Sequence, residues 1–154
     1  MRARVNQAYS KMQRVWLWIV VGLMLLTAAV HSLSFFVRLV PQNDTERQLY
    51  DLLENYRVDM GAGFHRSTAN LITALSACFP LLFCLGALTI VYLARRSVAP
   101  EIMRGMLRVE LLVFGVAVVV MSVFAFLLPI TMTGLVVIAL ILAERSFAGP
   151  VPLR

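Results

Sequence analysis

Apolar positions fall along this chain in long unbroken runs, and polar residues are confined to the stretches between them. The first run extends from Val15 to about Val40 and stays apolar through Leu33, Phe35, Phe36 and Val37. That is enough for a helix to cross a bilayer and exceeds the roughly 7–15 apolar residues of a secretory signal, so a retained span is predicted. Ahead of it Val5, Ala8, Tyr9 and Met12 recur at i, i+3, i+4 and i+7, the spacing of a helix lying on a membrane surface before the chain turns inward.

Pro41 ends the first run, and the segment after it is the only one resembling soluble protein, with Asp44, Glu46, Asp51, Glu54 and Asp59. Asn43 or Thr45 can cap a helix there, Gln48 completing a capping box with Thr45, and Leu49, Leu52, Leu53 and Tyr56 form one apolar stripe. A short amphipathic helix over about 46–57 is predicted, lying across the bundle mouth or the lipid surface as a connector. Gly61 and Gly63 give a flexible lead into the second span, about 64–94, where Pro80 permits a kink that neighbouring helices can support.

From Ser97 to Arg108 the chain is polar and basic, with Pro100 suited to starting a short helix. Leu111 to Ala143 then carries no charge. As one helix that stretch would rise about 50 Å against a hydrocarbon core of about 30 Å, so it must break. Pro129, Thr131, Thr133 and Gly134 supply the turn, giving a third span over 109–128 and a fourth over 130–144. The fold class predicted is all-α: a bundle of four transmembrane helices, one domain over residues 1–154, with a helix in the first outer loop.

Composition agrees: 60% of the 154 residues are hydrophobic and 14% charged, with mean hydropathy +0.84. Soluble domains carry about 25% charge, and four crossings leave no room for a separate catalytic domain. The net charge of +6 would suggest nucleic acid in a soluble protein, but the cations are juxtamembrane and not interleaved with aromatics, so no nucleic acid is expected. Ten of the fourteen Lys and Arg fall on the side shared by the N-terminus, the loop after span two and the C-terminus. Both termini are therefore predicted cytoplasmic, with the acidic loop outside. Cys78 and Cys84, six residues apart in one span, lie about 9 Å apart along a helix and cannot form a disulfide.

Polar residues inside spans are costly and are the first places to look for function. On span one Thr27, His31, Ser34 and Arg38 form a single stripe, and His65, Arg66, Asn70, Thr73 and Ser76 occupy the outer end of span two. As antiparallel neighbours these would set Arg38 level with Arg66 and His31 level with Thr73. His31, Ser34, Arg38, His65, Arg66, Asn70 and Thr73 are thus candidates for binding a lipophilic or anionic small molecule, with Arg38 turning inward to pair with Asp59 or an acid of the loop helix. The competing expectation is simple interhelical hydrogen bonding, with His31 satisfied by Asn70, Thr73 or a backbone carbonyl. A haem or metal is not expected, because His31 lies well inside the bilayer while His65 sits at its surface and no third ligand is spaced for a shared centre. No cofactor is expected.

Proton-coupled transport needs a titratable group in the apolar interior, and no Asp or Glu occurs within 15–40, 64–94 or 111–143. A buried carboxylate is therefore not expected, and no triad or nucleophile elbow suggests catalysis. Ala69, Thr73 and Ala77 make span two the expected internal seam, leaving spans three and four facing lipid or a partner. The Ala29-Val30-His31-Ser32 segment, the short acidic loop and His65-Arg66-Ser67 opening span two resemble small four-span bacterial membrane-protein families without established activity. The resemblance spans most of the chain and implies a bacterial inner membrane, with no catalytic residue carried over. The functional expectation is a non-catalytic accessory or stabilising subunit of a larger membrane complex or a homo-oligomer, associating through spans three and four.

Overall fold

The computed structural model describes residues 9–37 and 40–148 and is all-α apart from one small hairpin. Helix α1, Lys11–Leu33, starts at a reciprocal cap. The Ser10 hydroxyl accepts from the Gln13 amide at 3.2 Å, and the Gln13 carboxamide oxygen accepts from the Ser10 amide at 2.8 Å. Ser10 itself is non-helical (φ −58°, ψ 159°), so Tyr9 precedes the helix and no surface helix continues through it. The rest of that expectation lies outside the described residues. A single 3₁₀ turn, Ser34–Phe36, ends the element.

Helix α2, Asp44–Asn55, fills the predicted loop position but is capped by Asn43, whose side chain accepts from the Glu46 amide at 2.9 Å, and not by Thr45 with Gln48. Glu46 reaches back to accept from the Gln42 amide at 2.7 Å. An antiparallel pair follows that the sequence pattern did not suggest, β1 Arg57–Asp59 with β2 His65–Ser67. Its turn needs the left-handed backbone of Gly61 and Gly63, both at φ +79°. The Asp59 carboxylate accepts from the Gly61 amide at 2.9 Å.

Helix α3, Thr68–Arg95, is capped by Ser67 and contains Pro80. Past its C-cap, Ser97 is left-handed (φ +48°), and the Val98 and Ser97 amides donate to the carbonyls of Leu93 and Ala94. That pair of bonds is a Schellman closure, which stops the helix within one residue and lets the next begin at once. Helix α4, Pro100–Phe124, is one continuous element. The separate short helix expected before a third span therefore does not exist, and Arg104, Arg108 and Glu110 are helical. Helix α5, Leu127–Ser146, begins after a break at Ala125 and Phe126 and not at Pro129–Gly134. Pro129 is its third residue, where a missing N–H leaves no helical bond unmade.

α1, α3, α4 and α5 are each long and apolar enough to cross a membrane. α1 packs along both α3 and α5, α5 also packs along α4, and α3 meets α4 over a much smaller contact. Each contributes one buried stripe: Leu17, Val20, Val21 and Met24 from α1; Phe83, Ala87 and Ile90 from α3; Met103, Leu107 and Phe114 from α4; Val136, Ala139 and Leu140 from α5. The last two helices are thus core elements as well as outward-facing ones. On α3 burial begins at Pro80, and Thr73 in the small-residue stripe is exposed.

Candidate functional site

His31 is half-buried in the last full turn of α1, facing α3. Its Nε2 lies 3.1 Å from the carbonyl oxygen of Ser76, and because a carbonyl only accepts, Nε2 carries the hydrogen and donates. Ser76 is four residues before Pro80, which has no N–H to return to that carbonyl. The helical bond that proline removes is replaced from the neighbouring helix by histidine. The ring is also held edge-on to Phe35 at 5.7 Å and tilted against Phe79 at 4.8 Å.

The other candidates turn to their own segments. Ser34 Oγ donates to the His31 carbonyl at 2.7 Å, and Thr73 Oγ1 to the Ala69 carbonyl at 2.9 Å. The Asn70 amide donates to Ser67 Oγ as part of the α3 cap, and its side chain is exposed. His65 is exposed on β2, and Arg66 lies 5.7 Å above the Phe64 ring, a cation–π contact across two residues. Arg38, with its expected inward pairing, lies outside the described residues. The structure brings His31 together with α3 at Ser76 and Phe79, one turn deeper than Thr73.

From His31 an unbroken line of aromatic rings runs into the core: Phe79 to Phe83 at 4.9 Å, then Phe83 across to Phe114 of α4 at 4.7 Å. One turn before Phe114 on the same face stands Glu110, 7% exposed. The expectation of no buried carboxylate is therefore corrected. Met103, Leu107, Glu110 and Phe114 form one stripe at i, i+4, i+7 and i+11, a signal visible in the sequence only if the helix is started at Pro100. Opposite Glu110 lies Gly86 of α3, and a Cβ on that glycine would sit 2.9 Å from Glu110 Oε2.

Near the same end of the bundle, Glu144 of α5 is gripped twice, accepting from Arg104 Nε at 2.7 Å and Arg108 Nε at 2.9 Å. Two guanidinium groups one helical turn apart on α4 converge on one oxygen, tying α4 to α5. Residues 9–13 join the start of α1 to the α3–α4 connection and to the end of α5. The Tyr9 hydroxyl donates to the Val98 carbonyl at 2.8 Å and its ring meets Phe147 edge-on at 5.3 Å, while Gln13 Nε2 donates to the Ser146 carbonyl at 3.2 Å. Among the described residues no three His, Cys, Asp or Glu side chains cluster as a metal site.

The chain matches no protein-family model, no curated protein and no solved structure.

Proposed function

We propose that the chain is a multi-pass inner-membrane protein with both termini cytoplasmic, acting as a non-catalytic accessory or stabilising subunit in a larger membrane complex or a homo-oligomer. The observation that carries the reading is the outward face of α4. Leu112, Val116, Val119, Val120 and Val123 are exposed there, and all but Val123 line, together with Leu111, a shallow apolar groove of about 350 Å³ around Gly115. In water such a face would aggregate. In a bilayer it is solvated by lipid, and a glycine-floored groove lets another helix approach closely enough for van der Waals packing to drive association. The charge split supports the orientation, because ten of the fourteen cations sit on the side of the termini. The alternative, a small-molecule site in the outer half of the first hairpin, would require His31 to leave the Ser76 carbonyl.

Gly115 offers a direct test, since a Cβ there meets nothing within 4 Å inside the chain. Gly115→Leu fills the groove without touching the core. Native mass analysis after gentle solubilisation is expected to show oligomers or a co-purifying chain in wild type and their loss in the variant, at unchanged melting temperature. A stable detergent-saturated monomer of the wild-type protein, with nothing co-purifying, overturns the subunit reading.

A further inference from the structure

Among the described residues Glu110 is the single charged side chain buried in the core. Its stripe on α4 turns it inward, and the backbone of Gly86 gives it the space a side chain would have filled, with Oε2 and Oε1 at 2.9 and 3.3 Å from where a Cβ would stand. The nearby cations do not reach it. Arg104 and Arg108, on the same helix, are both committed to Glu144 of α5. The buried faces of α1 and α5 offer only the hydroxyls of Thr27 and Thr133, and the α3 face offers none beside Gly86. Of the other titratable groups on the packed elements, His31 is bonded to the Ser76 carbonyl, Cys84 is a half-buried thiol and Cys78 is exposed, while Lys11, Arg14, Tyr92, Arg95, Glu101 and Arg145 make no hydrogen bond or ion pair with Glu110. Glu110 makes no hydrogen bond or ion pair among the described residues, yet none of its oxygens is completely sealed.

A carboxylate in such surroundings has lost most of its hydration without gaining a cation, an arrangement that proteins keep where the group has work to do. A metal ion would need several further oxygen or nitrogen ligands, and the core side chains around it supply none. A proton needs one. We propose that Glu110 is a proton-binding site, its carboxyl taking up and releasing a proton through the α3–α4 seam. Three features converge on it: the group is buried and has no partner among the described residues, Gly86 is shaped around it, and the α3–α4 seam it occupies is much less extensive than the α1–α3, α1–α5 and α4–α5 contacts. Binding a proton there neutralises the one uncompensated charge in the core and lets α3 and α4 close on an uncharged group. Releasing it leaves a charge that favours water entering the seam.

The test is an infrared pH titration of the full chain in lipid nanodiscs, comparing wild type with the isosteric Glu110→Gln. The expected result is a protonated-carboxyl C=O band that is absent in Glu110→Gln, shifts in D₂O and converts to carboxylate as pH rises. A difference spectrum showing carboxylate at every pH overturns the proposal, as does a protonated band that neither exchanges with D₂O nor titrates. A second measurement is chemical labelling. A lipophilic carbodiimide, which attacks protonated carboxyl groups, should give a Glu110 adduct by peptide mass analysis, declining as pH rises and severalfold weaker in Gly86→Ala. No adduct on the folded protein at any pH, with Glu110 labelled readily once unfolded, is the contrary result.

Discussion

Replacing His31 with Phe preserves a ring to pack on Phe79 and Phe35 while deleting the one N–H that reaches Ser76. The carbonyl it abandons cannot recover a helical partner, because residue 80 is proline. A buried backbone acceptor left unbonded costs about 1–3 kcal/mol, but interhelical bonds in membrane proteins average nearer 0.6 kcal/mol. With the site half-buried, a loss of about 1 kcal/mol is expected. The same reasoning sets the outcome in a second background. Pro80→Ala restores an N–H at position 80 for the Ser76 carbonyl, so the histidine bond becomes redundant and His31→Phe should cost under about 0.3 kcal/mol there. Reversible unfolding of the four proteins in bicelles, by denaturing-detergent titration or steric trapping, gives the coupling energy directly. Independent sites add within about 0.3–0.5 kcal/mol. An equal cost of His31→Phe in both backgrounds, within that margin, would refute the idea that histidine replaces the bond proline removes.

Other consequences can be measured separately. Burial pushes the Tyr9 phenol above its ordinary value of 10.0. The folded state thus holds that proton more tightly, and the contribution is complete below about pH 10 and lost as pH rises through the folded value. Tyr9→Phe should lower stability by about 1 kcal/mol at neutral pH, from the lost bond to Val98, and should flatten the alkaline limb of a stability–pH curve; an unaltered limb contradicts this. Glu144→Gln frees two guanidinium groups at once and is expected to cost about 1 kcal/mol, diminishing in high salt, as read by thermal unfolding. In a chain lacking Cys78 and Cys84, a membrane-impermeant thiol reagent applied to intact cells should label Arg47→Cys and spare Arg96→Cys. Labelling of the second from outside sinks the orientation.

The four apolar runs were legible because a helix long enough to cross a bilayer needs little beyond length and composition. What the pattern hid was where α4 starts. Arg104, Arg108 and Glu110 look like a hydrophilic loop when counted by polarity, yet on a helix from Pro100 the arginines share a side with Glu144 while Glu110 falls in line with Met103, Leu107 and Phe114. A partner 36 residues from Arg108 and 40 from Arg104, visible only after folding, turns those two charges from loop markers into helix residues. Pro129 misled in the opposite direction, since proline breaks a helix interior but is harmless in the first turn, and the break at Ala125 and Phe126 has already ended the previous helix. The β1–β2 hairpin has strands of three residues and rests on backbone dihedrals at Gly61 and Gly63 that apolar periodicity does not encode. Of the candidate site, the expectation that a backbone carbonyl could satisfy His31 was available from the sequence. Which carbonyl followed only from the register that places His31 beside the turn Pro80 opens.

The contacts at residues 9–13 also bear on how the protein is made. Gln13 holds the Ser146 carbonyl, and Tyr9 rests on Phe147, so α1 is fastened to α5, a helix synthesised well after it. While α3 is emerging, α1 can already pair with it, but the face of α1 that receives α5 stays open until α5 has been translated. Before α5 arrives, the apolar residues of that face lack their cover and Gln13 Nε2 lacks its Ser146 acceptor. A nascent chain stalled before Phe147 lacks the ring on which Tyr9 rests.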